Sequence, residues 1–151
     1  ARRSGIACRT LGFSQYAGKT DFEAALHDYL RAHAVDLICL AGFMRILSPD
    51  FVTRWPGRII NIHPALLPAY KGLDTHARVI ADGADQTGCT VHYVDTGIDT
   101  GEIIAQQHVP VYAEDNAATL ETRVREAEHE LYPATLARVA HQLLHEQDGK
   151  A

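Results

Sequence analysis

Residues 58–64 read Arg58-Ile59-Ile60-Asn61-Ile62-His63-Pro64. The isoleucines are typical of a parallel strand buried on both faces, whereas Asn61 and His63 interrupt the apolar run and Pro64 ends it. Because residues two apart in a strand project to the same face, Asn61 and His63 are predicted to point together. We therefore expect an amide and an imidazole at the carboxyl end of a buried strand.

The apolar run at residues 35–41 predicts a second buried strand, which ends at Gly42. A helix over residues 21–33 is predicted before it, because Thr20 and Glu23 have the spacing of a capping box and apolar residues recur at helical intervals.

A short helix is predicted between the two strands. Ser48-Pro49 supplies an N-cap and a proline at the first helical position. Phe51, Val52 and Trp55 are expected to face inward, and Gly57 ends the helix. The order strand, helix, strand is that of a βαβ crossover.

The rest of the chain changes period. A helix near residues 75–82 is followed by extended segments at 89–94 and 103–111, which are predicted to form a hairpin-like pair. A long helix is predicted over about 116–147, and Pro133 is expected to kink or break it. The fold class is therefore α/β: a mostly parallel sheet with an added antiparallel hairpin.

Composition limits the function classes. The chain has 151 residues, 46% hydrophobic and 22% charged, which indicates one folded domain rather than a disordered or coiled-coil chain. A net charge of −5 argues against a broad grip on nucleic acid or anionic lipid. The longest apolar run, residues 37–44, is too short to span a membrane. Small molecules are the expected partners.

The three cysteines, Cys8, Cys39 and Cys89, lack a Cys-x-x-Cys spacing, which indicates a reducing, cytoplasmic setting. Cys39 and Cys89 fall in predicted strands, where buried small hydrophobic residues are expected rather than nucleophiles.

Asn61 and His63 suit a reaction that develops negative charge on a carbonyl oxygen. An asparagine amide donates a hydrogen bond without titrating, and a histidine can donate and then exchange a proton. The Asn-x-His pattern by itself still favours a structural role, in which both side chains satisfy backbone groups at a strand end.

Asp99 lies 36 residues after His63 in a turn flanked by Gly97 and Gly101. A carboxylate within about 4–6 Å of an imidazole raises its pKa and would make it a better acid at neutral pH. The alternative is a turn aspartate that bonds its own backbone, which the spacing alone favours.

Four residues were considered as metal ligands: His63, His76, His92 and Asp99. Their spacing does not match a helical metal site, so no metal is expected.

Three segments resemble one family. They are LAGFMRILSP at residues 40–49, NIHPALLP at 61–68 and HYVD-x-x-x-DTG at 92–101. In this order they resemble the phosphoribosylglycinamide formyltransferases of the folate-dependent formyltransferase superfamily, over about residues 1–145. The resemblance implies a Rossmann-like formyltransferase fold.

The resemblance implies a role for each matching residue. His63 corresponds to the proton donor, Asn61 to the amide that polarises the formyl oxygen, and Asp99 to the carboxylate that supports the histidine's charge. Glu128 corresponds to a residue that contacts the glycinamide substrate. Residues that contact the folate, besides Asn61, correspond to Lys19, Met44, Arg45, Ile46 and Leu47.

The implied reaction is formyl transfer from 10-formyltetrahydrofolate to the amine of glycinamide ribonucleotide, in de novo purine biosynthesis and without a metal. The implied partners are small molecules, with neither nucleic acid nor membrane. The oligomeric state is left open between monomer and homodimer.

Several departures qualify the resemblance. Lys19 stands where the family often has arginine, Asp74 where many members carry histidine, and Glu102 where proline is common. The family begins with a strand and a loop that cradles phosphate at a helix N-terminus, which has no counterpart here. Residues 1–151 are therefore interpreted as a single formyltransferase domain that is truncated at its N-terminus.

Other functions remain open on the same scaffold. A 10-formyltetrahydrofolate hydrolase would use water in place of the amine, but its motif usually has histidine where Pro64 stands. A methionyl-tRNA formyltransferase needs a basic extension that this acidic chain lacks. An inactive folate-binding fragment is the alternative from another class.

Overall fold

The computed structural model describes residues 2–148, and the side chains of residues 3–145 among them. The described residues fall into two compact units, divided between Asp36 and Leu37.

The first unit contains one α-helix. Two short 3-10 helices, Arg2–Ser4 and Phe13–Gln15, precede α1, Lys19–Ala32. The ring of Phe22 is buried and lies 5.4 Å from that of Phe13 and 5.6 Å from that of Tyr16, centroid to centroid. This aromatic cluster anchors the start of the helix.

The predicted helix is confirmed, but its predicted capping box is wrong. The backbone N–H of Phe22 donates to the carbonyl of Gly18 at 3.1 Å, so the helix begins at Lys19 and Thr20 lies inside its first turn. Gly18 is the N-cap and has no side chain with which to cap.

The second unit is built on a four-stranded sheet in the order β1-β2-β3-β4. Its elements are β1 (Ile38–Leu40), α2 (Pro49–Thr53), β2 (Ile59–His63), α3 (Thr75–Ala81), β3 (Gln86–Tyr93), β4 (Ile103–Pro110) and α4 (Ala117–Asp148).

The predicted α/β fold with an antiparallel hairpin is confirmed. β1 and β2 form the parallel pair of the crossover, whereas β3 pairs antiparallel with β2 and with β4. Only one of the three pairings among the described strands is parallel, rather than most of them as predicted, because the first strand of the hairpin lies directly against β2.

The crossover helix α2 follows the predicted chemistry. The hydroxyl oxygen of Ser48 accepts a hydrogen bond from the N–H of Phe51 at 3.1 Å, which satisfies one free donor of the first turn. Phe51, Val52 and Trp55 are all buried, as predicted. Their burial holds α2 against the sheet.

Burial differs between the two parallel strands. Ile59 and Ile60 of β2 are fully buried, but β1 has only three residues and leaves Cys39 exposed. The predicted burial of Cys39 is wrong, because β1 pairs only with β2 among the strands of residues 2–148. Cys89 of β3 is fully buried, as predicted, and burial raises its pKa to about 12, with a further contribution from the charge of Glu128.

The main core joins α3, the hairpin and α4. Its buried members are Val79, Cys89, Val109, Leu120, Val124 and Ala127. α4 continues through Pro133, so the predicted break is wrong. Buried Thr135 and Val139 follow Pro133 on the same helix, so packing offsets the hydrogen bond that proline removes.

Tyr132 ties α4 to both parallel strands. Its hydroxyl lies 2.9 Å from the carbonyl oxygen of Leu40 and 3.2 Å from that of Ile60. The one hydroxyl hydrogen of Tyr132 therefore lies between two carbonyl acceptors, one on β1 and one on β2.

Replacing Tyr132 with phenylalanine removes this hydrogen bond and keeps the ring. We expect Tyr132→Phe to lower the free energy of unfolding by about 1 kcal/mol, the usual net value of one hydrogen bond, measured by urea denaturation. Tyr112→Phe is the control, because that side chain is half-exposed and stacks its ring on Arg123. Equal stability of the two variants would contradict this role for the Tyr132 hydroxyl.

Candidate active site

Strand β2 carries two of the predicted site residues, and the turn between β3 and β4 carries the third. Nδ1 of His63 lies 3.3 Å from Oδ2 of Asp99. The side chains are 5% and 13% exposed, so the contact is largely screened from water. The structure therefore brings His63 and Asp99 together, 36 residues apart in the sequence.

Asn61 joins this group through His92, which the sequence had suggested only as a metal ligand. Antiparallel pairing places His92 of β3 opposite Asn61 of β2. Nδ2 of Asn61 lies 3.4 Å from Nε2 of His92, which in turn lies 3.6 Å from Oδ1 of Asp99. The strand register was the missing information, because His92 is far from Asn61 in the sequence.

The hydrogen bonds of His92 determine that Asn61 faces it with its amide nitrogen. Nδ1 of His92 lies 2.8 Å from the carbonyl oxygen of Tyr93, and a carbonyl only accepts, so Nδ1 carries the hydrogen. In the neutral ring Nε2 is then an acceptor, and it faces the amide nitrogen of Asn61. This arrangement orients the amide and leaves its second N–H for another acceptor.

Asp99 is not the aspartate that stabilises its own turn. Asp95 does this: its Oδ1 accepts from the N–H of Gly97 at 2.9 Å and from the hydroxyl of Thr100 at 2.7 Å. Oδ2 of Asp99 instead accepts from the backbone N–H of Gly72, in another loop, at 2.8 Å. The sequence alternative, a turn aspartate bonding its own backbone, is wrong for Asp99.

Gly101 lets the turn return to the sheet. A Cβ at this position would lie 1.8 Å from the carbonyl oxygen of Tyr93, a distance that no side chain can occupy. Asp99 itself has a left-handed backbone with φ of +50°. Close approach and this conformation together aim the carboxylate back at His63.

The loop after β2 is held by a buried hydroxyl. Oγ1 of Thr90 donates to the carbonyl of Ala65 at 2.7 Å and accepts from the N–H of Leu67 at 3.0 Å. The side-chain amide of Gln106 donates to the same hydroxyl and to the carbonyl of Leu67, both at 2.9 Å. The segment leaving His63 is therefore fixed by side chains from the hairpin.

Residues 1–136 match the sequence pattern of the family described as Formyl transferase. The chain belongs to the formyl transferase family. This match includes β2 and the β3–β4 turn. It therefore includes the network of contacting side chains formed by Asn61, His63, His92 and Asp99.

Named relatives show which members of the formyl transferase family are similar to this chain. It is 50% identical over 140 residues to the trifunctional purine biosynthetic protein adenosine-3 of Gallus gallus, covering 93% of this chain and 14% of that protein. It is 42% identical over 137 residues to phosphoribosylglycinamide formyltransferase of Escherichia coli, covering 91% of this chain and 65% of that protein. The chain thus spans a small part of the trifunctional relatives and about two thirds of the bacterial one.

A solved structure confirms the expected fold. The crystal structure of phosphoribosylglycinamide formyltransferase from Brucella melitensis superposes with a TM-score of 0.87 at 45% identity, over 92% of this chain and 71% of that one. The Rossmann-like formyltransferase fold predicted from the sequence is therefore the fold of this chain.

The predicted folate segment of the formyl transferase leaves the sheet next to Asn61. Leu40 at the end of β1 pairs with Asn61, and residues 41–47 follow it. Met44 and Ile46 are 74% and 60% exposed, whereas Leu47 is buried. Arg45 lies between the two exposed apolar side chains. Met44 and Ile46 therefore present apolar side chains to solvent in the segment that follows β1.

The two other predicted site residues, Lys19 and Glu128, lie on helices. Lys19 is the first residue of α1, in the first unit. Glu128 is half-buried on α4, where burial raises its pKa. Its charge contributes to the raised pKa of Cys89, so its carboxyl lies near β3.

Within residues 2–148, no three histidine, cysteine or acidic side chains converge in a way that suits a metal ion. A further histidine pair has helical spacing: Nε2 of His141 lies 3.1 Å from Nε2 of His145, one turn later on the exposed surface of α4. No helix in the described part of the chain is long and apolar enough to cross a membrane.

The predicted rise in the pKa of His63 is wrong in its net direction. Burial lowers the pKa of His63, and the carbonyl of Tyr70 and the carboxylate of Asp99 offset only part of this effect. The charges of His92 and Arg78 lower it further. The sequence correctly predicts that Asp99 raises the pKa of His63, but it does not show how deeply the imidazole is buried.

The imidazole of His63 is therefore expected to titrate below the value of about 6.5 for a free histidine. Asp99→Asn removes a charge that raises this pKa, so the midpoint should fall further. Histidine NMR shifts followed across pH would measure both. Asp50→Asn, an equal charge change on the exposed start of α2, should leave the midpoint of His63 in place. A midpoint above that of a free histidine would contradict the dominance of burial.

Proposed function

We propose that this chain forms the catalytic and folate-binding part of a phosphoribosylglycinamide formyltransferase. It would transfer the formyl group of 10-formyltetrahydrofolate to the amine of glycinamide ribonucleotide. The observation that carries the proposal is the buried network of Asn61, His92, Asp99 and His63 in a formyl transferase fold. The names of the relatives support the substrates, since phosphoribosylglycinamide formyltransferase recurs among them.

Formyl transfer requires an amine to attack the formyl carbon, which puts negative charge on the formyl oxygen. Asn61 has one amide N–H directed at His92 and a second available for that oxygen. A positioned donor of this kind is worth about 10²–10³ in rate. Asn61 is therefore proposed to stabilise the tetrahedral intermediate.

His63 is proposed to move the proton. Nε2 lies 2.9 Å from the carbonyl oxygen of Tyr70 and Nδ1 lies 3.3 Å from the carboxylate of Asp99, and both of these oxygens only accept. A neutral ring has a single N–H, and the shorter contact favours Nε2, so Nδ1 is the unprotonated nitrogen. A proton taken up at Nδ1 forms an imidazolium beside Asp99, whose carboxylate stabilises it. This proton is the one that the attacking amine loses, and it passes from Nδ1 to the folate nitrogen as the bond between that nitrogen and the formyl carbon breaks.

Substrate contacts outside this network are proposed from the resemblance. Residues 44–47 and Lys19 would contact the folate, and Glu128 would accept a hydrogen bond from the glycinamide amine. Residues 1–151 would belong to one formyltransferase domain that acts on small molecules in the cytoplasm.

The proposal is tested by substituting the network in the protein that carries this chain. His63→Ala should lower kcat by about 10²–10⁴, the range for a lost general acid or base. Asp99→Asn should also lower kcat, because the imidazolium loses its carboxylate. His108→Ala is the matched control, since His108 is exposed on β4. Product formation is followed by mass spectrometry of the formylated ribonucleotide.

Two results would overturn the proposal. Near-normal turnover of His63→Ala would remove His63 from the mechanism. Release of free formate from 10-formyltetrahydrofolate without any amine acceptor, and no formylated ribonucleotide, would identify a hydrolase instead.

A further inference from the structure

Residues 70–73 form a loop that contacts both partners of the proposed proton relay through its backbone. The carbonyl oxygen of Tyr70 lies 2.9 Å from Nε2 of His63, and the N–H of Gly72 donates to Oδ2 of Asp99 at 2.8 Å. We define this segment as the clamp loop. It fixes the imidazole at one nitrogen and the carboxylate at one oxygen.

The clamp loop has an unfavourable backbone conformation. Tyr70 and Gly72 in the loop have φ values of +53° and +80°, and Asp74, directly after it, has a φ of +56°. The left-handed region is unfavourable for residues other than glycine, so Tyr70 and Asp74 are strained. The loop therefore needs contacts that hold it in place.

Helix α3 supplies these contacts. Nη1 of Arg78 donates to the carbonyl of Lys71 at 2.7 Å and lies 3.3 Å from that of Leu73. The guanidinium carbon lies 5.5 Å from the centroid of the Tyr70 ring, within the range of a cation–π contact. Burial and the nearby carboxylate of Asp82, one turn after Arg78, raise the pKa of the Tyr70 hydroxyl, so this hydroxyl lies close to Asp82.

We propose that Arg78 is a positioning residue for the formyl transfer reaction: it holds the clamp loop, and the clamp loop aligns His63 with Asp99. The inference rests on the proposed function for its catalytic consequence but not for the contacts themselves. Arginine suits this position because its planar group can bond two carbonyls and stack on an aromatic ring at once. A lysine would keep the charge and lose this geometry.

Several charged groups act on His63, and the test must keep them constant. They are Asp99 on the β3–β4 turn, His92 on β3 and Arg78 on α3. His76 on α3 is also close, since the charge of His63 acts on it. Arg78→Lys retains the positive charge, so its effect on His63 reports the lost contacts.

The first readout needs no substrate. In Arg78→Lys the Gly72 amide should exchange with solvent at least about tenfold faster, because local opening releases its hydrogen bond to Asp99. The titration midpoint of His63 should fall, because the Tyr70 carbonyl that raises its pKa is no longer held in place. Tyr70→Phe, which removes only the contact with Asp82, should shift both quantities in the same direction by less.

The second readout is kinetic. Arg78→Lys should lower kcat about tenfold, equivalent to one positioned hydrogen bond, and leave both KM values unchanged. Arg54→Lys is the matched control, an exposed arginine at the end of α2. It should leave exchange, titration and turnover as they are.

Each outcome separates this inference from the proposed function. Unchanged Gly72 exchange and His63 titration in Arg78→Lys would overturn the clamp. Faster exchange with unchanged kcat would show that Arg78 holds the loop without positioning the relay, and would also overturn it. Absence of formyl transfer in the unsubstituted protein would refute the proposed function, while the exchange experiment would still decide whether Arg78 holds the loop.

Discussion

The carboxylate of Asp99 is the charge around which this site is built. It is 13% exposed, and a carboxylate with so little water requires compensating partners. In the resting state the N–H of Gly72 donates to one of its oxygens. His63 and His92 face its two oxygens with unprotonated nitrogens, so either ring compensates the charge only when it gains a proton. Each partner comes from a different part of the chain: β2, β3 and the loop before α3. The register of β2 against β3 and the close return of the turn at Gly101 are both needed to bring them together.

This arrangement balances two opposing effects on His63. Burial disfavours the imidazolium, whereas the carboxylate and a backbone carbonyl favour it. A ring that rests neutral, with its hydrogen on Nε2, keeps Nδ1 free to take up a proton next to Asp99. A group that gains its proton only when negative charge develops nearby suits catalysis at neutral pH better than a permanently charged one. In the proposed mechanism the backbone carbonyls of Tyr70 and Tyr93 would contribute by fixing the position of the hydrogen on each histidine.

Local chemistry made much of the fold predictable. The Ser48-Pro49 cap, the buried β2 and the hairpin follow from hydrogen-bonding and packing preferences that operate within a few residues. Contacts between residues that are distant in the sequence could not be predicted in this way. Asp95 rather than Asp99 serves the turn, His92 meets Asn61 only through strand register, and Cys39 is exposed because β1 lies at one end of the sheet order. The motif predicted that Asn61, His63 and Asp99 act together, but the net direction of the His63 pKa required the burial that only the folded chain shows.

In the neutral ring of His63, Nε2 donates its hydrogen to the Tyr70 carbonyl oxygen, and Nδ1 faces the Asp99 carboxylate without a hydrogen. Nitrogen-15 NMR of the His63 ring in the substrate-free protein at neutral pH tests it most directly, because a protonated and an unprotonated ring nitrogen have clearly different shifts. The account predicts a neutral ring with its hydrogen on Nε2 and a lone pair on Nδ1. A ring with its hydrogen on Nδ1, or one protonated at both nitrogens, would contradict it.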